Sequence, residues 1–404
     1  MPAQRAKPFH HIFSPLRDLL NDSRTTGVLL VICTILSLLI TNKFSNGQFS
    51  HFWNDPFNNG FLSTARLPHS FIDWVNNFGM AFFFVLAATE IKRELLTGEL
   101  SQFKKAVLPF GAAFGGMMMP AIIFIAFNMY SGYSHGWGIP TATDIAFSLA
   151  AASLLGKRFP VGLKILLLAI AIIDDLGAIV VIALFYGGHI NWLALGICAI
   201  IYGGLLICNR MKIKFGLFQV FLGLGLWYSM LQSGVEASIT GVLFAFAMPV
   251  NSLAIIEKAI HKLVNFFILP VFALANTAIL LPSHVVESLS TPVGMGIFFG
   301  LVIGKPLGIY LACRIMVGLN IASLPSNVQW KQVFGMGTLA GIGFTMSIFT
   351  TMLAFTDSSI RDIAKISILT AVVGSVLVSY VYFRSIYSRT IAPPALPKPE
   401  PVYS

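Results

Sequence analysis

The chain has 404 residues, of which 56% are hydrophobic and only 10% charged. A soluble domain carries about 25% charged residues, so this composition excludes one and spends the length on membrane spans. The net charge of +10 does not point to nucleic acid, because the basic residues form no stripe with interleaved aromatics; they sit between apolar segments as topology signals.

Residues 1–25 read as a cytoplasmic, partly amphipathic leader. They contain Asp18 and Asp22, and the apolar run after them ends at LLITN with no small-residue cleavage site, so it reads as a retained span and not a secretory signal. The membrane domain, 26–388, holds twelve candidate spans at roughly 26–42, 70–90, 105–128, 137–155, 162–186, 192–209, 215–231, 235–250, 262–282, 292–316, 331–355 and 363–386. Between the first two, the polar and aromatic loop 43–68 carries Asn-Gly and Asn-Asn-Gly turn signals and reads as an outer hairpin on the membrane surface. Residues 389–404, with APPALPKPEP, read as a disordered cytoplasmic tail. With the N-terminus inside, 21 Lys and Arg fall on the inner side, four (Lys43, Arg66, Arg361, Lys365) on the outer side, and Lys305 within a span. The bias puts both termini in the cytoplasm, and an even number of spans agrees. The fold class is an all-α polytopic membrane protein. Cys33, Cys198, Cys208 and Cys313 fall in or at the ends of apolar segments without metal-ligand spacing, so they read as small hydrophobes with no redox role.

A weak internal echo relates GAAFGGMMMPA (111–121) to GIFFGLVIGKPLG (296–308). Each precedes a span with an internal weak point, GIPTATDIAF (138–147) and FGMGTLAGIGFTMS (334–347). Paired interrupted segments in two halves point to inverted repeats and a binding site at the midplane.

Of the 16 acids only Asp144, Asp174 and Asp175 lie well inside apolar segments, and of the bases only Lys305. A charge at the bilayer centre costs from about 2.5 to over 10 kcal/mol, and the adjacent pair Asp174–Asp175 adds like-charge repulsion. Such a pair implies moving or exchanging cations, because a buried carboxylate binds either a proton or a cation, not both. The two lie about 100° apart around a helix; one can pair with Lys305 while the other faces water. Asp144 follows Pro140, Thr141 and Thr143, which weaken the helix there. It can cap a half-helix, and Thr143 can offer an oxygen to an ion. At the inner end of the second span, EIKRELL carries Glu90, Arg93 and Glu94, which can pair at i+3. Glu257, Lys258 and His261 form a second inner cluster. These read either as surface salt bridges or as a pH-responsive funnel using titratable His261.

TATDIAF (141–147), LLLAIAIIDDLGAIVVIALFY (166–186), IGKPLGI (303–309), EIKREL (90–95), ILPVFALAN (268–276) and AGIGFTMSIF (340–349) resemble the bacterial NhaA-type sodium/proton antiporters across nearly all spans. The resemblance implies about 12 transmembrane helices with inverted repeats. Two helices, broken at Pro140–Ala146 and Gly337–Gly343, would cross at the midplane. It implies export of Na+ or Li+ against entry of about two H+ per ion, pH-regulated and electrogenic, in the cell inner membrane, with no cofactor and no enzymatic reaction. Asp175 would be the principal ion ligand. Asp174 would join it or exchange a salt bridge with Lys305, and Thr143 and Asp144 would line the crossing. Glu90, Arg93, Glu94, Glu257 and His261 would match a pH-sensing region, and the 43–68 hairpin would pair two protomers within the membrane lipid. Three positions depart from the family pattern: Asn77, where an aspartate often occurs, and Glu236 and Lys258, where histidines often occur. They predict a shifted or flattened pH profile.

A sodium-coupled solute symporter is the alternative reading, but the sequence offers no extra polar side chains for an organic substrate. An intramembrane aspartyl protease using Asp144 and Asp175 would expect a Gly-x-Gly-Asp setting and leaves Lys305 unexplained.

Overall fold

The computed structural model describes residues 23–57, 60–156, 159–213, 215–282, 285–325 and 328–388. Most of the expected leader, the whole expected tail, and the basic residues Arg5, Lys7, Arg17, Lys157, Arg158, Lys214, Arg389 and Lys398 lie outside the described residues.

Among the described residues every regular element is helical. Near-continuous apolar sequence in a medium without water leaves helices as the way to satisfy each backbone group internally. The first span is α1 (Ser23–Leu39), prolonged by a π turn at Ile40–Phe44. The loop after it carries α2 (Gln48–Asn54) and α3 (Gly60–Thr64). The next elements are α4 (Phe71–Leu96), α5 (Phe103–Asn128), a 3₁₀ helix (Ser134–Thr141) and α6 (Ile145–Leu154). They lead to α7 (Val161–Phe185), α8 (Trp192–Arg210), α9 (Leu217–Ser233), α10 (Ala237–Ala247) and α11 (Val250–Asn276). The chain closes with α12 (Val285–Leu289), α13 (Pro292–Gly318), α14 (Trp330–Ala340), α15 (Phe344–Ala354) and α16 (Ser358–Ser388).

Eight of these helices are long and apolar enough to cross a membrane, nine if the pair α14–α15, bent by 49°, counts as one span. The expected twelve include pieces that fall short alone. At 1.5 Å per residue α10 is only about 16 Å long, half of a hydrocarbon core. Its last carbonyls end inside the molecule and are held by Lys92 Nζ, which donates to Phe246 O at 2.8 Å and Met248 O at 2.5 Å.

The order long helix, interrupted helix, long helix occurs twice: α5, the 3₁₀ helix with α6, then α7; and α13, α14–α15, then α16. The two glycine-rich segments of the echo pack against each other. A Cβ on Gly115 would sit 2.5 Å from both Ala312 Cβ and Gly308 O, so α5 and α13 meet nearly backbone to backbone, as small residues allow in lipid. Gly115→Leu therefore forces the two helices apart, and the expected outcome is a large loss of folded protein on fluorescence-detected size exclusion; an unchanged profile contradicts this packing.

Two expectations need correction. In the loop 43–68 the described residues form short helices where a hairpin is expected, and the Asn-Asn-Gly signal at 58–60 lies partly outside the described residues. Its Asn-Gly turn is present, with Asn46 at φ 46° and Gly47 at φ 88°, but Gly47 then starts α2, and the loop's aromatic rings pack on Phe71 at the start of α4. Phe52 stacks on Phe71 at 4.8 Å and Phe57 meets Phe71 edge-on at 4.6 Å. Second, both interruptions are shorter than expected. Gly337 lies within α14, where its missing Cβ admits Pro306 Cα, 2.6 Å from the position such an atom would take; it is a packing glycine and not a breaker. The second break is Gly341–Gly343, and the first is Ala142–Asp144.

Candidate functional site

The two breaks meet. Ala142 (φ −87°, ψ 154°) and Asp144 (φ −86°, ψ 109°) are extended, which frees their polar groups for partners outside the helix. Asp144 N donates to Ile342 O at 2.7 Å. A Cβ on Gly343 would lie 2.8 Å from Ala142 O, so a side chain there would push the two strands of backbone apart.

Each break leaves helix ends inside the membrane, with exposed N–H groups where a half-helix starts and exposed carbonyls where one stops. One carboxylate serves both starts. Asp144 Oδ1 accepts from Phe147 N at 3.0 Å, capping α6, and its Oδ2 accepts from Thr345 N at 3.1 Å and Thr345 Oγ1 at 2.6 Å, capping α15. One ammonium serves a stop: Lys305 Nζ donates to Thr141 O, the end of the 3₁₀ helix, at 2.5 Å. Lys305 directly follows a π turn at Gly300–Gly304, a helix irregularity that is frequent at functional sites.

The acids of α7 divide as their helical spacing requires. Asp174, fully buried, pairs with Lys305 through Oδ2; Thr143 Oγ1 lies 2.7 Å from the same oxygen and 2.8 Å from Ala340 O, so its one hydroxyl proton is shared between these two acceptors. Asp175 faces the other way, into a cavity of about 250 Å³. Buried Asp144, Asp175, Thr143 and Thr345 line its inner end; the less buried Glu90, Arg93, Glu94 and His261 line its mouth. That mouth lies at the inner ends of α4 and α11, the side to which the basic bias assigns the cytoplasm. Asp174 Oδ1 and Asp175 Oδ1 are buried and meet no protein donor. A bare carboxylate oxygen in such surroundings is costly and is an open acceptor for a proton or a metal cation.

The structure thus brings together Asp144, Asp174, Asp175, Thr143 and Lys305. Glu90, Arg93, Glu94 and His261 gather at the mouth. Arg93 Nη1 bonds Glu257 Oε2 across helices at 2.5 Å, and His261 Nε2 lies 3.0 Å from Asn265 Nδ2. The three departures from the family pattern do not line the cavity. Asn77 Nδ2 donates to Asp73 O in its own helix at 2.9 Å, Glu236 caps Ser238 N ahead of α10 at 3.3 Å, and Lys258 is exposed beside Ala254 and Ile255. Sequence reasoning missed Thr345. Its signal was a hydroxyl at the start of the half-helix after the Gly341–Gly343 break, the place where a second partner for Asp144 has to come from.

The chain matches the Na+/H+ antiporter 1 family over residues 17–383. It is 44% identical to the Na(+)/H(+) antiporter NhaA of Flavobacterium psychrophilum over 382 residues, 93% of this chain and 97% of that one. To NhaA 2 of Clostridium beijerinckii it is 40% identical over 389 residues, 93% and 96% of the two chains. To NhaA of Dechloromonas aromatica it is 44% identical over 364 residues, 88% and 91%. Matched along nearly all of its spans, the chain belongs to the Na+/H+ antiporter 1 family of multi-pass membrane transporters, which are not enzymes.

Proposed function

We propose that the chain exports cytoplasmic Na+, and Li+ by the same chemistry, in exchange for external H+, with Asp175 as the exchanging carboxylate. The observation that carries this reading is the division of labour in α7: Asp174 is neutralised by Lys305, whereas Asp175 ends a cavity with an oxygen that meets no donor. A proton or a cation can satisfy that oxygen, and each excludes the other because a carboxylate gains little from a metal once it is protonated. Thr143 and Thr345 line the same end and offer hydroxyl oxygens to a cation that reaches it. A cation seated between the two aspartates would draw Asp174 from Lys305. Asp175 then gives up one proton and Lys305, a buried ammonium left without its carboxylate, gives up the second, so about two protons are traded for one Na+ and the exchange is electrogenic. A cavity of about 250 Å³ lies below the ~300–1,000 Å³ of sites for organic ligands, so a solute symporter is not favoured.

The same reading places the protein in the bacterial inner membrane with both termini cytoplasmic, paired as a homodimer through 43–68. Exposed Phe44 (74%) and Phe61 (71%) there give lipid or a second copy an apolar face. It also makes the mouth cluster of Glu90, Arg93, Glu94, Glu257 and His261 the pH-responsive element.

Proton movement in inside-out vesicles tests the function. Na+ and Li+ dissipate a preformed pH gradient and K+ does not; a requirement for an organic solute, or no response at any pH, refutes it. Scanned across pH, the activity is expected to be shifted or flattened relative to a steep alkaline switch, given Asn77, Glu236 and Lys258. A steep alkaline switch would show that these positions do not set the response.

A further inference from the structure

We propose that Ser148 and Ser347 are positioning residues for the transported cation, a reciprocal pair of hydroxyl clasps that fixes how the two interrupted helices cross. The proposal rests on the exchange reading above and deepens it. Ser148 Oγ, in α6, donates to Leu339 O near the end of α14 at 2.9 Å. Ser347 Oγ, in α15, donates to Ile139 O in the last turn of the 3₁₀ helix at 2.7 Å. Each serine thus belongs to the second half of one broken helix, and each carbonyl to the first half of the other. Both serines are 0% exposed.

A serine or threonine within a helix ordinarily returns its hydroxyl to its own chain three or four residues back. The neighbours do so: Ser153 bonds Leu149 O, Thr350 bonds Met346 O and Thr351 bonds Ser347 O. Ser148 and Ser347 bond the opposing helix instead. The carbonyls they reach lie in the last turn of each first half, where C=O groups lose their helical partners; Leu339 O also accepts from Ile342 N at 3.1 Å. Between the clasps lie the crossing's other contacts, Asp144 N to Ile342 O at 2.7 Å and Thr143 Oγ1, whose single proton Ala340 O at 2.8 Å shares with Asp174 Oδ2. One clasp holds each side of the crossing, so together they oppose its sliding or rocking.

Thr143 and Asp144 sit on that crossing, whereas Asp175 sits on the separate helix α7. Whether these oxygens converge on one cation depends on the register of the crossing against α7, and small misplacements of converging groups are costly. Neither serine lines the cavity, so their loss acts through Thr143 and Asp144.

The test is transport and binding by Ser148→Ala, Ser347→Ala and the double variant, with Ser153→Ala as the control whose hydroxyl bonds its own helix. Each clasp variant is expected to raise the half-saturating Na+ concentration by about three- to tenfold, the range that loss of one buried hydrogen bond gives. The maximal rate stays within about twofold, and Ser153→Ala matches wild type. The double variant shows less than the product of the single effects, because one open clasp already lets the crossing slide. The Na+ dependence of thermal stabilisation of the purified protein reads the same affinity without transport. If both half-saturating values stay at wild type while only protein yield or maximal rate falls, the serines are merely structural and the proposal is overturned. If the wild type itself neither binds nor moves Na+, it is the exchange reading that fails.

Discussion

Asp175→Asn abolishes sodium-driven proton movement and leaves a folded protein. The replacement is nearly isosteric, so the packing of α7 is kept, and it removes a buried negative charge whose Oδ1 meets no protein donor. The amide neither takes up a proton at physiological pH nor offers a full charge to a desolvated cation. An unpaired charge in such a site is worth roughly 3–5 kcal/mol, about two to nearly four orders of magnitude in affinity, which puts exchange below detection at any pH. Because one of two adjacent buried acids is gone, thermal stability is unchanged or higher. Vesicle transport and fluorescence-detected size exclusion check both halves of this expectation. Wild-type activity in the variant refutes the assignment; collapse of the folded peak refutes the claim that Asp175 serves transport and not folding.

Lys305→Met is expected to have the opposite signature, a large loss of stability. Lys305 is fully buried and answers both Asp174 and the Thr141 carbonyl at the end of the 3₁₀ helix. Methionine fills a similar volume but leaves a buried carboxylate with Thr143 as its remaining donor and a helix end without its cation. Removing one partner of a buried pair costs about 3–5 kcal/mol, whereas replacing both is often close to neutral. The double variant Lys305→Met with Asp174→Asn should therefore recover most of the thermal midpoint lost in the single variant, and it should not recover transport, because a carboxylate of the site is gone. A single variant as stable as wild type would show that the Lys305–Asp174 pair is not held in the resting protein.

The spans are legible in the sequence because the membrane imposes one rule on every one of them, apolar length with satisfied backbone. The buried charges are legible for the same reason, since Asp144, Asp174, Asp175 and Lys305 alone interrupt apolar segments. Partner choice is not. Helical spacing requires Asp174 and Asp175 to face different ways, but only the packing of α7 and α13 on their common neighbour α5 decides that Asp174 takes Lys305. The Arg93–Glu257 bond is hidden because spacing arguments see only one helix at a time. The loop 43–68 departs from the expected hairpin because a turn signal marks where the chain bends and carries no information on whether a strand or a helix comes next. The breaks are narrower than expected because a glycine such as Gly337 looks the same whether it ends a helix or admits a neighbour. Thr345, Ser148 and Ser347 give little signal because hydroxyl side chains are common in such spans and mostly bond their own helix.

Proton release on Na+ binding to the purified protein, in weakly buffered detergent solution, addresses the central claim that a proton and a sodium ion exclude each other at Asp175. Addition of Na+ should release protons in saturable fashion, K+ should release none, and Asp175→Asn should release none with either ion. Na+ binding without proton release, or equal release from Asp175→Asn, would contradict the exchange chemistry assigned to this carboxylate.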